Sequence, residues 1–209
     1  MNFFARFSRG KLPLGRIEAV SDGVFAIIVT LLVLEIRVPI LKNASSVAEL
    51  TGHLREFLPR FFSWMISFII VCKFWLNHHH LFRQVRHANY ALVWMNAIFL
   101  MFQTFVPFPT ALMGEYPDNP LAVSLFGVVM ALNTLLFILL QRYIIRNLLK
   151  PKFVGLQDPH LLRKSLVGIA AYLAGVGAAW INVKIAFVAY ALTPLLFIVP
   201  APVKGEEDS

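Results

Sequence analysis

A chain of 209 residues that is 58% hydrophobic and only 14% charged is not an ordinary soluble domain, in which about a quarter of the residues carry charge. With a mean hydropathy of +0.71 it reads as an all-α, polytopic membrane protein. Its net charge of +8 does not point to nucleic acid, because the basic residues sit in short loops between apolar runs, without the interleaved aromatics of a nucleic-acid groove.

A spanning helix needs about 20 apolar residues. Six candidates follow in order, at roughly 18–39, 57–80, 89–113, 119–145, 163–181 and 183–200, so that residues 1–209 form a single six-helix transmembrane domain. Ahead of the first lies MNFFARFSRGKLPLGR, which is basic but has neither the apolar core nor the cleavage site of a signal peptide. The first helix is therefore expected to remain in the mature protein. In the third segment, Pro107 and Pro109 should bend or end the helix. The last two segments are separated only by a tight connection near Asn182, which predicts a hairpin. The single cysteine, Cys72, excludes a disulfide within the chain and argues against a cysteine-based metal site.

The loops predict the orientation. Arg6, Arg9, Lys11 and Arg16 precede the first segment; Arg83 and Arg86 follow the second; Arg142, Arg146, Lys150, Lys152, Arg163 and Lys164 lie between the fourth and fifth; Lys204 is in the tail. The opposite side has only Arg37, Lys42, Arg55 and Lys184. Positive charge concentrates in the cytoplasm, so both termini are expected there, as an even number of spans requires.

The first segment, RIEAVSDGVFAIIVTLLVLEIRVP, carries the first candidate site. A carboxylate inside a membrane-length helix is costly unless paired or wet, which singles out Asp22. On a helical wheel of about 100° per residue, Ile27, Thr30, Leu31 and Leu34 share one face. Ser21 and Asp22 fall off that face, at about 120° and about 220° from Ile27. Periodicity alone fits ordinary helix packing of the apolar stripe, with Gly23, Ala26 and Thr30 permitting close contact. Ser21-Asp22 also reads as an N-cap, although Ile17 to Val20 already looks helical.

The second candidate ends the second segment: Lys73-Phe74-Trp75-Leu76-Asn77-His78-His79-His80-Leu81-Phe82-Arg83. Helical zinc sites pair histidines at i and i+4. Here those positions hold Phe82 and Arg83, so no metal site is expected. A better reading is that Trp75, Asn77 or His78 donates a hydrogen bond to a buried Asp22, since the predicted topology puts both ends at similar depth.

These residues resemble a known family. Arg16-Ile17-Glu18-Ala19-Val20-Ser21-Asp22 is similar to the R-x-x-x-F-S-D signature of the transmembrane protein 175 family, the endolysosomal potassium channels and their single-repeat prokaryotic relatives. The likeness runs on through Gly23-Val24-Phe25-Ala26-Ile27 to Thr30-Leu31-Leu32, and returns in Phe74-Trp75-Leu76-Asn77-His78-His79 with Leu81-Phe82. Val20 departs from it, standing where the family usually has Phe. The resemblance implies a pore lined by the first helix of each subunit, an isoleucine constriction at Ile27, and pore positions at Thr30, Leu31 and Leu34. Arg16, Ser21, Asp22, Trp75, Asn77 and His78 would form a structural and gating network off the ion path. It further implies a homotetramer among membrane lipids in a bacterial inner membrane, with potassium as permeant ion and no cofactor.

The chain has no T-V-G-Y-G segment, and Gly23 to Leu34 holds no proline to free backbone carbonyls. The usual tetrameric potassium-channel fold is therefore not expected, and selectivity, modest in size, would come from side chains and pore width. The competing reading is a proton-coupled secondary transporter using Asp22 and a histidine of the second helix as relay. Such transporters often show internal repeats and broken midplane helices, and neither is clear here. No catalytic spacing supports an enzyme.

Overall fold

The computed structural model describes residues 13–156 and 161–195. Its helices are α1 (Leu14–Leu34), α2 (Val47–Arg83), α3 (Tyr90–Thr104), α4 (Pro107–Glu115), α5 (Pro120–Asn147), α6 (Leu161–Ala179) and α7 (Val183–Leu195), with a 3₁₀ turn at Pro151–Phe153. No strand occurs among the described residues; the nearest thing to one is isolated bridging such as that between Val85 and Leu149. Four stretches are long and apolar enough to cross a membrane: α1, α2, α3 with α4, and α5. α6 and α7 are shorter apolar helices. The protein is an all-α integral membrane protein.

Several boundaries differ from those read off the apolar runs, each for a local reason. α1 begins at Leu14, directly after Pro13, and stops at Leu34. Pro39 disfavours helix at Val38 before it, so residues 35–39 leave the helix. Ser21 and Asp22 lie two turns inside α1 and cap nothing. α2 starts ten residues before the predicted span, because Ser46 caps it: the Ser46 hydroxyl accepts from the Glu49 backbone N–H at 3.3 Å. The third span breaks at Phe105-Val106, and Pro107 occupies the first turn of α4, where its missing N–H costs nothing.

α1 packs on α2 and α3, α2 on α4, α3 on α5, and the α6–α7 hairpin on α5. Phe99 of α3 is the hub. It is fully buried and its ring centroid lies 6.2 Å from that of Phe25, 6.0 Å from Phe74 and 5.6 Å from Phe137, so it joins α1, α2 and α5. In lipid, helices associate through such packing and through small residues more than through the hydrophobic effect. The hairpin shows the second device. The Tyr190 ring of α7 lies against Gly127 and Gly175, where a Cβ at either position would overlap it. Its hydroxyl donates to the Val123 carbonyl at 3.2 Å.

Both predicted basic loops meet at one end of the bundle. The Arg86 N–H donates to the Leu148 carbonyl and the Lys150 N–H to the Gln84 carbonyl, each at 2.8 Å. The Lys150 ammonium also donates to the Arg83 carbonyl at 2.6 Å.

Candidate functional site

Adjacent helix residues point about 100° apart, and α1 uses this to send Ser21 and Asp22 to different partners. Ser21, Phe25, Ile28 and Leu32 recur at i, i+4, i+7 and i+11 and are buried against the rest of the subunit. The Ser21 hydroxyl donates to the Ile17 carbonyl at 2.8 Å and accepts from the Asn96 amide of α3 at 2.9 Å. The Asn96 carbonyl oxygen lies 2.8 Å from His78 Nε2 of α2. That orientation places the ring proton on Nε2, so each donor in the chain His78–Asn96–Ser21–Ile17 finds one acceptor. All three side chains are buried, where an unmade bond costs about 1–3 kcal/mol. Aromatic rings hold the imidazole: Phe82 stacks on it at 4.1 Å, Phe99 lies parallel at 6.0 Å, and Phe25 approaches at 5.7 Å.

Asp22 takes the other direction. It is exposed in the subunit, and its carboxylate accepts from the Trp75 indole N–H at 2.9 Å. Of the three expected donors, Trp75 is the one that reaches Asp22; His78 points inward to Asn96, and Asn77 is half-buried on the same helix outside both connections. One expectation is corrected: within the subunit Asp22 is exposed rather than buried. Among the described residues Arg16, exposed on the first turn of α1, joins neither connection. The three consecutive histidines diverge, with His78 buried, His79 exposed and His80 half-buried.

Asn96 is the residue that the motif-based reading did not assign. Its signal was present as an amide in the middle of an apolar span, where polar groups are rare and face the bundle interior.

Among the described residues, nothing in the same subunit covers the opposite face of α1. Ile27 is 57% exposed, Leu31 43% and Leu34 69%, and Thr30 is exposed with them. The Thr30 hydroxyl spends its proton on α1 itself, lying 3.1 Å from the Ala26 carbonyl and 2.9 Å from that of Ile27. Its oxygen keeps a lone pair for whatever faces the helix. Val20 is also exposed, at 63%, so a valine in place of the usual aromatic leaves no hole in the subunit core.

Residues 16–107 match the sequence profile of the endosomal/lysosomal potassium channel TMEM175. A potassium channel of Chryseobacterium sp. is 34% identical over 189 residues, 89% of this chain and 93% of that protein. The chain belongs to the TMEM175 family. The human endosomal/lysosomal proton channel TMEM175 is 38% identical over 97 residues, which is 44% of this chain and 19% of that protein. Among solved structures, the crystal structure of a lysosomal potassium-selective channel TMEM175 homolog from Chamaesiphon minutus superposes with a TM-score of 0.77 at 32% identity, covering 88% of this chain and 96% of that one. The TMEM175 neighbour is not of the usual potassium-channel fold, and TMEM175 proteins are ion channels rather than an enzyme class. Residues 16–107 contain every residue of the two α1 connections and of the uncovered α1 face.

Proposed function

We propose that four copies of this chain form a cation channel with a modest preference for potassium, lined by α1 of each subunit and narrowest at Ile27. The observation that carries this is the division of α1 into two faces. One face is anchored by a buried hydrogen-bond chain and core side chains. The other holds Ile27, Thr30, Leu31 and Leu34 and is left bare by the subunit. One helix cannot enclose a pore, and cyclic symmetry would bring four copies of the bare face around an axis. Isoleucine rings of this kind gate by excluding water. Similarity to relatives named as potassium channels supports potassium as the permeant ion.

Both termini are proposed to lie in the cytoplasm of a bacterial cell with the chain in its inner membrane. The convergence of Arg83, Arg86, Arg142, Arg146, Lys150 and Lys152 at one end of the bundle supports that orientation.

Purified protein in liposomes, under opposed potassium and sodium gradients, tests the reading. A channel gives a reversal potential between the two equilibrium values and nearer that of potassium. A reversal potential that follows an imposed pH gradient instead would favour proton permeation, as the name of the human relative suggests for that protein. Flux of potassium stoichiometrically coupled to protons would replace the channel with a transporter.

A further inference from the structure

Contacts between α2 and the α3–α4 stretch form a ladder. In order along α2 they are His78 with Asn96, Phe74 with Phe99, Ser67 with Thr110 and Arg60 with Glu115. The two stretches are therefore antiparallel. So are α3 and α5, where Tyr143 meets Asn89 and Asn133 meets Phe102. This arrangement sets several polar side chains in one column. Ser63 lies one turn from Ser67, toward Arg60, on the same face of α2. Gln103 lies one turn beyond Phe99, on the face of α3 that carries Asn96. Asn133 lies one turn from Phe137, whose ring meets that of Phe99. Its amide donates at 3.2 Å to the carbonyl of Phe102, the neighbour of Gln103. From Arg60 to the level of Phe74 the column is about 20 Å long.

Ser63, Gln103 and Asn133 are 0% exposed. Among the described residues, Ser63 Oγ, both polar atoms of the Gln103 amide and Asn133 Oδ1 find no hydrogen-bond partner, and the Trp64 indole N–H is sealed in the same way. Buried polar groups are nearly always bonded, to protein or to ordered water, so five such atoms along one column call for a common explanation. The column also has an entrance. A cavity of about 310 Å³ opens at the end of the bundle opposite the basic loops, with Arg37, Arg60 and Glu115 at its mouth and Trp64 and Thr110 among its walls. The mouth is wet, since the Arg60 and Glu115 side chains are 36% and 51% exposed. Thr110 is buried and its hydroxyl lies 2.7 Å from Ser67 Oγ, so the cavity reaches the column.

We propose that a chain of ordered water molecules runs from this cavity, between α2 and α4, to Gln103 and Asn133 inside each subunit. The chemistry of the unpartnered atoms selects water. Trp64 Nε1 and Gln103 Nε2 only donate, Gln103 Oε1 and Asn133 Oδ1 only accept, and Ser63 Oγ does either. Water serves both kinds, whereas a bare cation would face two donors. The column holds no carboxylate past its mouth. It ends at the Phe99 ring, which is packed by Phe25, Phe74 and Phe137. Beyond that layer His78, Asn96 and Ser21 bond to one another. The column is thus a blind, hydrated branch, apart from the exposed face of α1, and it stands whether or not that face lines a pore.

Water-edited solid-state NMR of the nitrogen-labelled full chain in lipid bilayers tests this with water itself as the probe. The Gln103 side-chain amide is identified by its loss in Gln103→Met, and that of Asn96 by its loss in Asn96→Leu. Magnetisation should pass from water to Gln103 severalfold faster than to Asn96. Equal rates would overturn the proposal: if both are slow the column is dry, and if both are fast it is not closed at Phe99. Thermal unfolding of Gln103→Met in detergent gives a second measure. Replacing a dry, unpartnered amide with an apolar side chain of similar length is neutral or stabilising. Replacing one that holds water removes a bond from the chain, and should lower the midpoint by about 2–4 °C or more. An unchanged or raised midpoint would overturn the proposal as well.

Discussion

The Trp75 indole N–H reaches the Asp22 carboxylate at 2.9 Å, while Ser21, one residue earlier, is held from α3 by Asn96. α1 is thus tied to α2 and α3 by two bonds that leave its other face free.

Because the Asp22–Trp75 bond is exposed, its net contribution is modest, about 0.5–1.5 kcal/mol. Asp22→Ala and Trp75→Phe should each reduce open probability or assembly by a similar amount, and the double variant should add little to either. Asp22→Asn keeps an acceptor oxygen and should be milder. Size-exclusion profiles paired with single-channel recording read the effect. Altered ion selectivity in a normal oligomer would place Asp22 in the ion path.

Ile27→Asn puts an amide into the proposed constriction. Resting cation leak should rise at least severalfold and selectivity should fall, because a polar ring no longer excludes water. Liposome flux with folded, oligomeric protein is the measurement. Unchanged flux would remove Ile27 from the narrowest point.

Thr30→Val keeps the shape of the side chain and removes its oxygen. The potassium-to-sodium permeability ratio should drop by about two- to tenfold, the equivalent of one ordinary hydrogen bond. An unchanged ratio would leave Thr30 as a packing residue that bonds only to its own helix.

Asn96→Leu strands the buried His78 N–H and removes the donor to Ser21. A loss of about 1–3 kcal/mol per unsatisfied group is expected, seen as a lowered thermal midpoint in detergent. His78→Leu combined with Asn96→Leu should recover part of that loss, because no stranded donor remains on α2. If the pair is instead strictly additive, the two residues do not act through a shared bond.

Gly175→Ala places a methyl group where the Tyr190 ring lies. Overpacking of this kind costs about 1–3 kcal/mol. The α6–α7 hairpin should loosen, seen as a lowered thermal midpoint in detergent, while Gly177→Ala, which meets open space, should be neutral.

Apolar run length and proline position are local properties, so the membrane character, the order of the apolar helices, the break before Pro107 and the hairpin near Asn182 were legible in the sequence. The motif around Asp22 was legible too, and so was the stripe from Ile27 to Leu34. The first ten residues of α2 were not, because residues 47–56 are too polar to read as a span and are helical through the Ser46 cap and through the Glu49 carboxylate, which accepts from the Lys42 and Asn43 backbone N–H groups. The partner of Asp22 was narrowed to Trp75, Asn77 or His78, but the choice among them and the pairing of Ser21 with Asn96 were not legible. Helical geometry dictates that Ser21 and Asp22 diverge, but which of them faces inward depends on where Asn96 and Trp75 stand. Those positions follow from how α1, α2 and α3 pack around Phe99. A buried polar group takes whichever partner that packing brings within hydrogen-bond distance, and only the tertiary structure decides it.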